Sequence, residues 1–260
     1  MATYKRGILG RFTGKVGTVV GTTWRGISVM RAVPSEVRNP RTPKQQAQRE
    51  RFQLIAKLIR QARPFIQAGF EIRSSDRFTA ANAMMSYNIR FGITGDFPAQ
   101  VLHWPNIRFA MGSLQGPAHS GSSVTLDTEN GQAVFSWIDN SGQNNALAGD
   151  LAMVLLYHTA TDQALFDVSA ATRESGTAML QLPEAFTEDP SGVHAWLAFR
   201  RSDDADERIS SDSLYLGKLA VSGSPANGED ESNSDGDGDA DGNGAPSSGN
   251  GNDQDDGSGS

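Results

Sequence analysis

Two hydrophobic periodicities divide the chain. Between residues 15 and 33 the period is two. Val16, Thr18 and Val20 alternate with Gly17 and Val19; after Gly21-Thr22-Thr23, Ile27, Val29 and Arg31 alternate with Ser28, Met30 and Ala32. Alternating runs about a glycine-containing turn predict a β-hairpin. Gly10, Gly14, Gly17, Gly21 and Gly26 punctuate the region, and glycine inside a strand marks a bulge or a close backbone approach. A two-stranded hairpin is marginal in water, so this one needs a helix, the rest of the chain or another subunit to pack on. From Pro43 the period becomes helical. Phe52, Leu54, Ile55, Leu58, Ile59 and Ala62 fall on one face, with Arg49, Gln53, Lys57 and Arg60 opposite. Thr42 is a suitable N-cap and Pro43 suits the first helical position; Pro64 ends or kinks the helix. A second helix is expected over 76–90, with Ser75 as cap, Phe78, Ala81 and Met85 on one side, and Gly92 and Gly95 closing it.

Beyond residue 101 the pattern shortens to about seven strands. Val124/Leu126, Ala133/Phe135/Trp137, the continuous run Leu151 to Tyr157, Leu165-Phe166, Ala178/Leu180/Leu182, Val193/Ala195/Leu197/Phe199 and the stretch from Ile209 to Leu216 mark them. Turns such as Glu129-Asn130-Gly131 and Asp189-Pro190-Ser191-Gly192 separate them, a spacing that predicts an antiparallel β-sandwich of immunoglobulin type packed around Trp137. Val221 to Ser260 carries no Lys, Arg or aromatic residue and is rich in Gly, Ser and acidic residues. That composition cannot bury enough apolar surface to offset its ordering entropy and predicts disorder. The expected fold is therefore α+β in three parts: a basic hairpin-and-helix module over 1–100, the sandwich over 101–220, and an acidic tail over 221–260.

Composition sharpens this. The 260 residues include no cysteine, which removes disulfides and thiolate metal sites. The start MATYKRGILG has no apolar signal segment and no run is long enough for a membrane helix, so a cytoplasmic protein without a membrane partner is the default expectation. The net charge of −7 hides a polarity. Residues 1–110 carry 18 Lys+Arg against 5 Asp+Glu, a net of +13, whereas 111–260 carry 5 against 25, a net of −20. Such asymmetry points to a polyanion or to contacts between oppositely charged surfaces.

Catalytic chemistry finds little purchase. Gly10-Arg11-Phe12-Thr13-Gly14-Lys15-Val16 is one residue short of a phosphate loop, lacks the magnesium-binding hydroxyl and leads into a strand. His103, His119, His158 and His194 show no metal-ligand spacing, no GxSxG elbow is present, and the acids lie in turns and the tail. No enzyme and no cofactor are expected. Asp235 to Asn243 resembles the start of a calcium loop, but Ser248 stands where the bidentate Glu belongs, leaving at most weak calcium binding by the tail. The informative feature is the basic N-terminal half. Arg11, Lys15, Trp24, Arg25, Arg31, Arg41, Lys44 and Arg49 form the candidate interaction surface. Basic residues among aromatics suit nucleic acid, though no standard nucleic-acid motif is present; the same residues suit a protein partner or a second copy of the chain.

Several blocks in one order carry a family resemblance: GILGRFTGKVGTVVG, Trp24-Arg25-Gly26, NPRTPKQQAQRERF (39–52), AANAMMSYNI (80–89), the Trp137 strand, Arg173 with Gly176, and SSDSLYLG (210–217). On these the chain resembles an uncharacterised family of Bacteroidota proteins, a domain of unknown function, from about Lys5 to Lys218. The segment at 39–52 is also similar to one in uncharacterised proteins of phage origin. The resemblance implies no activity. The expectation is a non-enzymatic structural or interaction protein, self-assembling or part of a phage-like or surface assembly, with nucleic-acid binding through the basic half as the alternative.

Overall fold

A computed structural model of the chain describes residues 3–4, 12–24, 26–36, 39–70, 78–202 and 209–221. All of them fall within the unit Met1–Ser224. The first strands are β1 (Thr3–Tyr4), β2 (Phe12–Val16), β3 (Val19–Trp24) and β4 (Ile27–Ala32), which form one antiparallel sheet in the order β1-β2-β3-β4. The turns are not where alternation alone puts them. One falls at Gly17-Thr18 and the other at Gly26, between the paired Trp24 and Ile27, while Gly21, Thr22 and Thr23 lie inside β3. Two-residue hairpin turns need left-handed backbone, and Gly17 (φ 56°) and Gly26 (φ 81°) supply it. The β-branched threonines prefer the strand. Gly21 is a close approach: a Cβ there would stand 2.5 Å from the Phe12 carbonyl oxygen and 2.6 Å from its ring.

Three helices follow: α1 (Pro43–Gln61), α2 (Arg63–Gly69) and α3 (Ala80–Phe91). Thr42 and Gln45 cap α1 reciprocally, and Pro64 sits in the first turn of α2, so the chain breaks at Ala62 and restarts. The expected α1 face holds for Ile55, Leu58 and Ala62, but Phe52 is exposed. α3 starts later than the pattern suggests, behind Thr79, whose side chain accepts from the Asn82 amide; the expected cap Ser75 and start at Asp76 lie outside the described residues. Its buried side chains are Ala83, Met84 and Asn88, and Phe78 is exposed. The face is rotated because Asn88 bonds inward, to the carbonyls of Met84 and Arg108 and to the Arg108 amide. A short ribbon, β5 (Ile93–Thr94) with β6 (Val101–Leu102), leads onward.

Two four-stranded sheets come next. β7 (Ser123–Asp127), β8 (Gln132–Ser136), β9 (Leu151–His158), β10 (Gln163–Thr172), β11 (Thr177–Gln181), β12 (Val193–Arg200), β13 (Leu214–Lys218) and β14 (Ala220–Val221) pair as β10-β9-β12-β13 and β11-β8-β7-β14, with a short helix, α4 (Glu184–Glu188), before β12. All pairs are antiparallel except β14 with β7. Val221, expected to open the tail, pairs with Leu126 in that parallel step. The rest of the tail, including the calcium-loop resemblance, lies outside the described residues. One buried cluster fills the space between the sheets, with Val124, Phe135 and Trp137 from one side and Val154, Leu156, Leu197 and Phe199 from the other.

A second cluster lies on the far face of β9 and β12, where Met153, Leu155, Tyr157, Trp196 and Ala198 meet Ile55, Leu58, Phe65, Ile66 and Phe70 of the helical segment. β9 and β12 are covered on both faces, which is why β9 reads as an unbroken apolar run. The expected division near residue 100 therefore does not separate two cores: the helices share theirs with the sheet. Trp196 reinforces this by donating its indole N–H to the Ile107 carbonyl at 3.0 Å. Among the described residues no helix is long and apolar enough to cross a membrane.

Candidate protein interface

The N-terminal sheet stands apart from this packing. None of the described residues 12–32 enters either buried cluster. Register defines its faces. Lys15, Val20 and Arg31 are cross-strand partners, as are Thr22 with Val29 and Trp24 with Ile27. Alternation therefore places Lys15, Trp24 and Arg31 on one face with Val20, Ile27 and Val29. Phe12, Val16, Val19 and Met30 occupy the other. Val16, Trp24, Ile27, Val29 and Met30 are all exposed, Met30 at 67%. Every residue of β4 is exposed. Contiguous exposed apolar patches are characteristic of contact surfaces.

The remaining candidates divide. Arg41, Lys44 and Arg49 are exposed at the start of α1, where the Arg49 guanidinium donates to the Asn39 side chain. Arg41 sits at φ 48°, just before the cap. Exposed Phe52 lines a shallow cavity with Gln45, Gln48, Arg49 and Gln53. Arg11 and Arg25 lie outside the described residues. The structure thus joins Lys15, Trp24 and Arg31 into one face, and places Lys44 and Arg49 on α1 with Arg41 just before its cap.

One feature escapes a reading of the sequence. Asp150 is fully buried, not in an open turn, and so is Arg173. The Asp150 Oδ2 accepts from the Leu147 amide at 2.8 Å and lies 3.2–3.3 Å from two Arg173 nitrogens, while Arg201 Nε lies 3.4 Å from Oδ1. Arg173 also donates to Asn140 Oδ1 and to the Gln115 carbonyl, and its guanidinium covers the Phe199 ring at 3.8 Å. Burial pulls the Arg173 guanidinium below its ordinary value, and Asp150 opposes that. Gly176, left-handed at φ 67°, ends the turn that carries Arg173. The Arg173 donors all point at protein, so the cluster reads as a clamp on the 139–150 loop. The Arg173/Gly176 pair was visible in sequence only as a spacing, since nothing local marks a charge for burial.

His158 and His194 are buried, and His119 is exposed. His194 Nδ1 lies 2.7 Å from the Tyr215 hydroxyl, with Trp104 stacked on its ring at 4.4 Å. Burial and, less strongly, Lys218 lower its pKa to about 4, and burial pushes Tyr215 up to about 12. The phosphate-loop-like segment forms β2 rather than opening a helix. Among the described residues no three His, Asp or Glu side chains converge on a metal position.

The described residues thus comprise an exposed N-terminal sheet and two packed sheets, one of them covered by helices. The chain belongs to the family of unknown function DUF6266, whose model matches residues 11–217. No curated protein and no solved structure matches it.

Proposed function

We propose that this is a non-enzymatic interaction protein that works by assembly, with the N-terminal sheet as its contact surface and the paired sheets as the displayed body. The observation that carries this is the exposure of every residue of β4 and of about half of β2 and β3, against burial of all but one end residue of β9 and of β12 in the same chain. A sheet whose described residues enter neither buried cluster stands to gain stability from a partner. The body reads as an immunoglobulin-type sandwich. Setting β7, β8 and β11 against β10, β9, β12 and β13 reproduces the A-B-E and C′-C-F-G grouping of such domains, with hydrophobic packing in place of the disulfide. Membership of a Bacteroidota lineage and a place in a phage-like or surface assembly rest on sequence resemblance alone.

The test is light scattering coupled to size exclusion on the full chain at low and high salt, with and without short DNA. A defined oligomer that ignores DNA is expected. A strict monomer at every concentration and salt refutes self-assembly. The second reading, nucleic-acid binding, is favoured by the shared face of Lys15, Trp24 and Arg31, where cations flank a ring on which bases could stack. It predicts that the mass shifts with DNA at low salt only, and that Lys15→Glu with Arg31→Glu abolishes the shift.

A further inference from the structure

The free edge of β4 is the most specific feature of the N-terminal sheet. The Val33 amide donates to the Thr18 carbonyl at 2.7 Å. In an antiparallel ladder the bonded pairs recur every second residue, so Ile27, Val29 and Arg31 turn their N–H and C=O toward β3. Ser28, Met30 and Ala32 then point theirs outward. Among the described residues β4 pairs with β3 alone.

Edge strands of monomeric proteins are usually blunted by bulges, prolines, lysines or shortness. The edge strand β10 has a register shift between Asp167 and Ala171, and the pairing of β13 to β12 breaks between Ala195 and Trp196. β4 has none of these devices. Its six residues pair with β3 without interruption, contain no Pro or Lys, and carry a single charge, Arg31.

We propose that this edge is completed by a second copy of the chain, β4 against β4, antiparallel about a two-fold axis at Val29. This rests on the assembly reading above and names its partner. Charge and register select the pairing. With Val29 opposite Val29 of the second copy, Ser28 faces Met30, so the outward N–H and C=O groups meet each other. Ile27 faces Arg31, whose aliphatic stem lies along it. The two Arg31 side chains are four residues apart along the ladder, about 13 Å, beyond the screening length of physiological salt. The two sheets fuse into one of eight strands, and each apolar face continues across the seam. Rows then run Lys15–Val20–Arg31 and on to Ile27 and Trp24 of the second copy. A ladder this short is at the low end of specific interfaces, so the dimer is expected to depend on concentration in the micromolar range.

The chain has no cysteine, so single-cysteine variants give an unambiguous readout. In the full chain, Val29→Cys is oxidised alongside Ser123→Cys, an exposed control on β7. A non-hydrogen-bonded antiparallel pair has Cα atoms about 4.5 Å apart, within disulfide reach. Val29→Cys is expected to form covalent dimers at least tenfold faster than Ser123→Cys; equal rates overturn the proposal. Met30→Pro removes one outward N–H and none that bonds β3, a position where an edge strand tolerates proline. It is expected to return the protein to monomer mass with an unchanged unfolding midpoint, and to abolish cross-linking when combined with Val29→Cys. If the wild type is oligomeric while Val29→Cys fails to cross-link and Met30→Pro changes nothing, β4 pairing is wrong and assembly through another surface stands. If the wild type is monomeric at every concentration, both fall.

Discussion

Replacing Asp150 by Asn keeps the shape of the buried clamp and removes its only negative charge. The carboxylate faces Arg173, whose side chain is completely buried, and Arg201, whose side chain is 10% exposed. Two guanidinium groups would then share a dry site without the carboxylate they face, and the new amide NH2 would point a donor at a donor. Removing one partner of a buried pair costs about 3–5 kcal/mol, because the remaining charge stays desolvated. For a folded unit of this size each kcal/mol is worth roughly 2–4 °C, so the midpoint should fall by on the order of 10 °C. The assay is urea and thermal unfolding followed by tryptophan fluorescence. Trp137 reports locally, since its indole N–H donates to the Arg173 carbonyl at 2.8 Å. Adding Arg173→Met to Asp150→Asn should cost at least about 0.5 kcal/mol less than the sum of the two single changes, since residues in one network couple. If Asp150→Asn loses under about 1 kcal/mol, or the two changes simply add, the clamp is not a tightly coupled buried ion pair.

His194 is held neutral, with its pKa lowered to about 4 against 6.5 when unfolded. The unfolded chain therefore binds a proton that the folded one refuses. Stability is full above pH 6.5 and falls as the pH drops toward 4. Between pH 7 and 5 that loss is about 2 kcal/mol, and comparing urea midpoints of the wild type and His194→Phe at both pH values isolates it. Asn88→Ala removes the side-chain partner of the part-buried Arg108 amide and carbonyl and should cost about 1–3 kcal/mol in the same assay. Gly21→Ala forces a Cβ against the Phe12 carbonyl and ring. It should disrupt β2 against β3 and remove self-association measured by light scattering, with little change in the core's unfolding midpoint, because the N-terminal sheet contributes nothing to either buried cluster.

The sequence by itself determined what depends on neighbours along the chain. Thr42-Pro43 fixed the start of α1 because capping is a contact three residues long. Ile55, Leu58 and Ala62 marked its buried face through a 3.6 period, and Ala133, Phe135 and Trp137 marked theirs through a period of two. Charge polarity and the basic residues of the candidate surface were equally legible. Turn placement in the N-terminal sheet was not, since Gly17, Gly21 and Gly26 look alike until backbone angles separate the two turn glycines from the one that gives way to Phe12. Phe52, expected on the buried face, is exposed and Asn88 is buried, because burial depends on what faces a residue, and neither α1 nor α3 carries that information locally. Only tertiary structure decided that the helices cover one face of β9 and β12, making one shared core of two expected modules. It alone joined Lys15, Trp24 and Arg31 into a face and brought Asp150 to Arg173 and Arg201. Those are contacts between residues distant in sequence, chosen by register and desolvation, and no local pattern records them.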